Sequence, residues 1–308
     1  MRSGGASLLY WIVVKTAEGW GLQEYPLVSI VTPSYNMAAF LRETVESVLA
    51  QDYPRIEYLV MDGGSTDGTL EILEHYKDRL RYVSRPDRGA AEAINRGFQM
   101  SHGSIFAWLN ADDTYLPGAV STAVRHLMSD PDLAVVYGQA YWVDDQGKIL
   151  RSYPTQPFNP DLLRRECFIC QPACFIRGAA FQQLGMLDPA LEFAFDYDLW
   201  IRMSKRYRLG WRPEYLATSR MHGASKTLGR RAQVFRENLR LLQHHYAYVP
   251  FQWVYSYCCY LLDRRDQFYE PLRPSVLKYC LSLPLGCWYN RARMGAYWRE
   301  WRSVMSRP

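Results

Sequence analysis

Residues Ser104 to Gly118 read S-I-F-A-W-L-N-A-D-D-T-Y-L-P-G. Ile105 to Leu109 is a short apolar run, the mark of a buried strand, and it stops at Asn110, Ala111, Asp112 and Asp113 before a Pro117-Gly118 turn. Two adjacent carboxylates at a strand end need water, a basic partner or a cation. Oxygen-only ligands at an open strand end suit Mg2+ or Mn2+. In an α/β protein that edge is also where ligands bind. The competing reading is that Asp112 and Asp113 cap a helix starting near Leu116.

Upstream, strand and helix patterns alternate three times. Leu27 to Thr32 is β-branched and apolar, as in a central parallel strand, and breaks at Pro33-Ser34-Tyr35-Asn36, after which Phe40, Leu41, Val45, Val48 and Leu49 share a helical face. Ile56 to Met61 is the next strand. It ends in Asp62-Gly63-Gly64-Ser65-Thr66-Asp67-Gly68-Thr69, where the glycines permit tight turns and Ser65, Thr66 or Asp67 caps a helix carrying Leu70, Leu73 and Tyr76. Leu80 to Val83 leads to Arg85-Pro86-Asp87-Arg88-Gly89 and a helix faced by Ala90, Ala93, Ile94, Gly97 and Phe98. The alternation predicts a doubly wound, mostly parallel sheet that delivers Asn36, Asp62, Arg88 and Asp112 to one edge.

Downstream, Leu133 to Val143 and Lys148 to Tyr153 flank an Asp144-Asp145-Gln146-Gly147 turn and predict a hairpin. Gln171-Pro172 to Ile176 reads as a strand and Phe181 to Leu187 as a short helix. Asp196 opens an amphipathic helix with Leu199, Trp200 and Met203 inward, so a helix cap is one reading of it. Two strand-like pieces, Arg208 to Trp211 and Tyr215 to Ser219, precede Arg220-Met221-His222-Gly223-Ala224-Ser225-Lys226-Thr227, where small residues permit close approach of a phosphate.

The composition is that of an ordinary globular chain: 308 residues, 48% hydrophobic, 22% charged, net charge +5. The whole excess of base lies from Asp263 onward, which argues against a general nucleic-acid binder. The seven cysteines follow no regular framework and fit a reducing compartment; Cys167, Cys170 and Cys174 read as structural thiols. The run Ser7 to Val14 is too short to span a bilayer and no cleavage site follows it, so the expectation is a cytoplasmic protein. His244 to Leu262 carries no Lys, Arg, Asp or Glu and is rich in Tyr. Tyr279 to Asn290 is a second such stretch, followed by Arg291, Arg293, Trp298, Arg299, Trp301 and Arg302. Two readings stay open: an interfacial element facing anionic lipid, or a helical subdomain packing on the core.

Six of these segments occur in family order and spacing: V-S-I-V-T-P-S-Y-N, D-G-G-S-T-D-G-T, R-P-D-R-G-A-A-E-A-I-N-R-G-F, N-A-D-D, F-D-Y-D-L-W-I-R and M-H-G-A-S-K-T. Through them residues 26 to about 227 resemble a family 2 glycosyltransferase with the GT-A fold. The resemblance implies an N-terminal extension (1–25), a catalytic domain (26–228, divided into a nucleotide half 26–118 and an acceptor half 119–228) and a helical C-terminal region (229–308). It implies an inverting, nucleotide-sugar-dependent enzyme using Mn2+ or Mg2+ on a saccharide or lipid-linked acceptor. Donor binding would fall to Pro33, Tyr35, Asn36, Asp62, Ser65, Asp87, Arg88, Gly89, Asn95, Asn110, Ala111 and Asp112, metal binding to Asp112, Asp113 and His222, and base catalysis to Asp196. Asn110 stands where many members have the first Asp of D-x-D, and Phe195 where many have Glu. A sugar nucleotidyltransferase would carry a glycine-rich loop after the first strand, where Pro33-Ser34-Tyr35-Asn36 stands. A non-catalytic nucleotide-sugar binder would not need both Asp113 and Asp196.

Overall fold

The computed structural model describes residues 11–16, 19–223, 225–263 and 275–305. It divides into two compact units. The first comprises Met1–Phe158, Phe168–Glu192 and Arg202–Arg220; the second comprises Asn159–Cys167, Phe193–Ile201 and Met221–Pro308. The chain therefore crosses between units several times.

In the first unit, strands β1 (Trp11–Thr16) and β2 (Gly19–Glu24) pair antiparallel. The apolar run Ser7 to Val14 thus enters β1 at Trp11, and Ser7 to Tyr10 lie outside the described residues. There follow β3 (Val28–Ser34), α1 (Ala38–Leu49), β4 (Ile56–Asp62), α2 (Thr69–His75), β5 (Arg81–Ser84), α3 (Ala90–Gln99), β6 (Ile105–Trp108), β7 (Thr114–Tyr115), α4 (Ala119–Ser129), β8 (Leu133–Val143) and β9 (Ile149–Ser152). A short turn, α5 (Pro160–Leu163), belongs to the second unit; β10 (Cys174–Arg177), α6 (Gly178–Gln183) and β11 (Arg208–Arg220) complete the sheet unit. The sheet order is β5-β4-β3-β6-β10-β8-β11-β7, with β9 on β8. Strands β5, β4, β3 and β6 are mutually parallel, as the alternation predicts. Beyond β6 the sheet is mixed: β10 runs antiparallel to β6 and β8, β11 is parallel to β8, and β7 is antiparallel to β11.

The side-chain period of two distributes the core over both faces. Ile30, Val60 and Ala107 join α1 (Leu41, Val45, Val48) and α4 (Val120, Val124, Leu127) in one apolar cluster. The opposite face carries α3. There Gly97 lies so close that a Cβ on it would stand 2.6 Å from Val31 Cγ1, and Phe98 stacks on Phe106 at 4.4 Å. Pro33 falls past the last β3–β6 pair, Val31 with Trp108, where no ladder donor is needed.

Several expected boundaries move. The helix expected near Leu116 begins at Ala119, because Thr114–Tyr115 is drawn into a strand by Ala217 and Thr218 of β11. Asp112 and Asp113 therefore do not cap it. The two pieces between Arg208 and Ser219 are one irregular strand. The segment from Gln171 starts as a 3-10 turn (Gln171–Ala173) before β10, and the following helix covers Gly178–Gln183.

Helix α7 (Phe195–Ser204) leads into β11. The second unit holds most of α7 together with α8 (Lys226–Gly229), α9 (Arg231–Tyr246), α10 (Phe251–Asp263), α11 (Val276–Tyr289) and α12 (Met294–Met305). Its helices share an aromatic core, with Phe235 against Tyr257, Phe251 against Tyr279, and Tyr279 stacked on Trp301 at 4.1 Å. Among the described residues no helix is long and apolar enough to cross a membrane.

Candidate active site

Because β5, β4, β3 and β6 are parallel neighbours, the loops after them leave the sheet at one edge. The loops after β3 and β4 are tied together by side chains. Asn36, in a left-handed conformation at φ 51°, donates its N–H to Ser65 Oγ (2.7 Å) and accepts the Thr66 N–H on Oδ1 (2.9 Å). Asp67 Oδ2 accepts the Ala38 N–H at 3.0 Å, and its Oδ1 accepts the Thr69 N–H and hydroxyl; the N-cap of α2 is the next residue, Gly68, in a left-handed conformation, so none of Ser65, Thr66 and Asp67 stands at the cap position.

Asp62 is buried and accepts four hydrogen bonds: Gly64 N–H and Ser65 N–H at 3.0 Å each, Ser84 Oγ at 2.6 Å and Ser65 Oγ at 2.5 Å. Four donors satisfy the buried carboxylate. Asp62 and Ser65 thus shape the loop from within. On its outer side, Tyr35 is 62% exposed. A Cβ added to Gly63 would stand 3.2 Å from Asp87 Oδ2 and 3.3 Å from the Tyr35 ring. An aromatic face, a carboxylate and a bare backbone meet there, a cradle suited to a planar heterocycle. Asp87 Oδ1 accepts the Gly89 N–H at 2.9 Å.

Two expected members of this pocket are engaged elsewhere. Arg88 is exposed, its Nε and its backbone N–H both 2.9 Å from Glu92 Oε2 on α3. Asn95 pairs both ends of its amide with the backbone of Leu187, at 2.8 and 3.0 Å. Arg202 donates to the carbonyls of Leu184 and Met186. Asn95 and Arg202 therefore clamp the turn 184–187, for which sequence offers no local signal.

At the end of β6 the acidic pair splits. Asp112 is half-buried, while Asp113 is buried, with Oδ1 accepting the Arg220 N–H (2.9 Å) and Oδ2 the Asn110 amide (3.1 Å). Burial, reinforced by the neighbouring Asp112 charge, holds the Asp113 carboxyl well above the usual carboxylate range despite the Arg220 and Asn110 bonds. Of the two acids, Asp113 is thus the one turned toward Arg220 and Asn110. Asn110 also reaches Gln171 Oε1 (3.3 Å), whose amide donates to the Trp108 carbonyl at 2.6 Å. Ala111 is buried beneath the loop.

Arg220, passed over in the sequence reading, is the hub. Its buried guanidinium donates to the carbonyls of Asp112 (2.9 Å), Asp144 (3.3 Å) and Asp145 (3.0 Å), and to Glu43 Oε2 at 2.5 Å, and lies 5.0 Å over the Phe40 ring. An argininium with its fork filled fixes the loop that displays Asp112.

In the second unit, Asp196 stands in the first turn of α7, half-buried, and accepts the Tyr197 N–H at 2.7 Å. Burial, against the pull of that bond and with Glu237 and Asp198 adding to it, pushes its carboxyl up to about 6. Glu237 of α9 accepts the N–H groups of Phe193 and Ala194, and His245 of α9 meets Asp198 Oδ1 at 2.7 Å. Asp198 is thus engaged with α9. His222 is buried in the turn after β11, its carbonyl accepting the Ser225 N–H at 3.0 Å.

Among the described residues no group of three or more His, Cys, Asp or Glu is placed to hold a metal ion. The donor set at Asp112, one half-buried carboxylate at an open strand end, fits a hard cation that draws its other ligands from a bound diphosphate and water. Asp113 already takes one hydrogen bond on each of its oxygens.

The parallel half-sheet with its edge loops and mixed extension has the GT-A fold, as its structural neighbours do. TarS of S. aureus, residues 1–349 in complex with UDP, has the same fold (TM-score 0.56, 16% identity, 91% of each chain). So does the mannosyltransferase PcManGT from Pyrobaculum calidifontis, solved with GDP-Man and Mn2+ (TM-score 0.55, 19% identity, 90% of this chain and 86% of that one). The chain belongs to glycosyl transferase family 2, whose sequence profile matches residues 29–185. An uncharacterized glycosyltransferase of Rickettsia prowazekii is 31% identical over 210 residues, 66% of each protein. The chondroitin synthase of Escherichia coli is 30% identical over 187 residues, 60% of this chain and 27% of that protein.

Proposed function

We propose that this chain is an inverting, divalent-cation-dependent transferase that moves a sugar from a nucleotide-diphosphate donor to a hydroxyl of a saccharide or lipid-linked acceptor, at the cytoplasmic face of a membrane, in surface polysaccharide or glycolipid assembly. The observation that carries the reading is the split acidic pair: Asp112 half-buried at the sheet edge, on a loop that Arg220 and Asp113 hold from beneath. Tyr35, Gly63 and Asp87 receive the base, Asp62, Ser65 and Asn36 keep that cradle open, and Asp112 would hold Mn2+ or Mg2+ against the diphosphate. The cation, when bound, offsets negative charge on the leaving diphosphate.

Asp196 takes the proton of the acceptor hydroxyl. The acceptor oxygen bonds to the anomeric carbon as the bond from that carbon to the diphosphate oxygen breaks, and the electron pair leaves with the diphosphate. One direct displacement inverts the centre and needs no enzyme nucleophile. A carboxyl pushed up to about 6 is ionised at neutral pH yet more basic than an ordinary aspartate, as a general base requires. Relatives that include a chondroitin synthase and a hyaluronan synthase, and fold neighbours solved with UDP, UDP-GlcNAc or GDP-Man with Mn2+, support the substrate class.

A thermal-shift series of nucleoside diphosphates and nucleotide sugars, with and without Mn2+, tests the donor reading. The melting temperature should rise with one nucleotide, and only when the cation is present. No shift with any nucleotide would end the donor reading. A shift without hydrolysis or transfer of any donor would reduce the protein to a nucleotide-sugar binder.

A further inference from the structure

Helix α11 is turned the opposite way from a helix of a water-soluble bundle. Leu277, Leu281, Pro284 and Trp288 follow at i, i+4, i+7 and i+11, one face, and all four are exposed; Leu277 is 61% and Trp288 64% exposed. The opposite face, Lys278, Tyr279, Ser282 and Gly286, is buried, as is Asn290 just beyond it. Its polar groups are paired inside. Lys278 Nζ meets Asp263 Oδ2 at 2.5 Å, Ser282 Oγ accepts the Trp301 indole N–H at 3.2 Å, and Asn290 bonds both backbone groups of Val249. The fold thus spends hydrogen bonds to bury the polar face while the apolar face looks out.

The surroundings of that face are cationic. Arg291 lies 3.6 Å from the centre of the Trp288 ring, and Arg293, Arg299 and Arg302 are exposed. Met294 and Trp298 are exposed too, and Trp298 is tied to α11 through Trp301 and Tyr279, which stack in series. From Val276 to Met305 the sequence contains one acid, Glu300, and it is occupied by the Tyr248 hydroxyl. Tryptophan and arginine beside an aliphatic stripe is the arrangement of a helix lying in the headgroup layer of an anionic bilayer. At 14 residues α11 is too short to cross one.

We propose that the exposed face of α11, with Met294, Trp298 and the flanking arginines, seats the protein on an anionic phospholipid surface in the plane of the membrane. The choice of a bilayer as occupant rests on the reading of the enzyme as one that serves membrane-bound assembly. The test is flotation of the full chain with phosphatidylcholine vesicles that contain or lack phosphatidylglycerol, alongside binding of the stabilising nucleotide with Mn2+. Wild type should float with the anionic vesicles at low salt and detach as salt rises. Each of Arg291→Gln, Arg299→Gln and Arg302→Gln should cost about fivefold in partitioning. Leu277→Ser with Trp288→Ser should stay in solution with unchanged melting temperature and nucleotide binding, and should lose the blue shift of tryptophan emission on adding vesicles. Wild type that ignores anionic vesicles overturns the proposal, as does a double variant that floats like wild type. Lipid-free self-association that the same variant abolishes would also overturn it, since the face would then belong to a second copy. Flotation without binding of any nucleotide would leave the surface standing and sink the transferase reading instead.

Discussion

Arg220 shows how one side chain sets a site it does not enter. Its guanidinium satisfies three carbonyls and a carboxylate while its N–H holds Asp113. Arg220→Met takes the donor away from three part-buried carbonyls and from Glu43, which stays open to water, and should lower stability by about 1–3 kcal/mol in urea unfolding. Arg220→Lys keeps the charge without the fork, and calorimetry should show weaker nucleotide binding even where the protein stays folded. The acidic pair should separate on mutation. Asp112→Asn should remove the cation dependence of nucleotide binding, whereas Asp113→Asn, which replaces a carboxyl already biased toward its neutral form, should retain it. For Asp196 the sign of the pH effect follows from its raised carboxyl. Between pH about 4 and 6 the native state holds a proton that the unfolded chain has lost, so stability is largest below this window and falls as pH rises through it. The full effect is about 3 kcal/mol. Asp196→Asn should therefore melt like wild type near pH 4 and above it at pH 7, yet lose transfer by about two to four powers of ten. A variant that melts lower at pH 7, or that transfers sugar at the wild-type rate, would contradict the assignment.

At the scale of elements, helices α1 and α3 and strands β3, β4 and β6 follow the periodicity of their own residues, and their buried positions are close to those the spacing names. Helix α3 is seated by Gly97 against Val31 and Met61. Gly97→Ala would press a methyl into that contact and should cost about 1–3 kcal/mol, read as a lower urea midpoint with an unchanged slope. A neutral result would mean that the α3–sheet contact gives way more easily than its geometry implies. Strand β7 is the contrary case. Two residues, Thr114 and Tyr115, form no strand by themselves and become one because Thr218 and Ala217 lie beside them, with the two threonine hydroxyls 2.7 Å apart. That pairing delays α4 to Ala119 and turns Asp113 inward.

For the whole molecule, charge and metal make a joint prediction. No cluster of three protein ligands stands among the described residues, and the displayed acid fits a cation shared with substrate. EDTA alone should therefore leave the melting temperature unchanged, while EDTA added with the nucleotide should abolish its stabilisation. A fall in melting temperature on EDTA alone would instead reveal a resident structural ion.

The parallel strands β3 to β6, their order along the chain and the polar loops that follow them were legible from residues 26 to 113 alone, because apolar period and turn chemistry act within a few neighbours. So was the acidic motif, since two adjacent aspartates at a strand end announce themselves locally. The direction each aspartate faces was not. It depends on Arg220, 107 residues away from Asp113, which no local pattern brings near. The use of Asn95 as a clamp on Leu187, 92 residues on, was hidden for the same reason. In the C-terminal helices composition alone showed tryptophan, tyrosine and arginine without saying which way they look. Only tertiary packing, which filled the inside of α11 with paired polar groups, decided that its apolar stripe faces out.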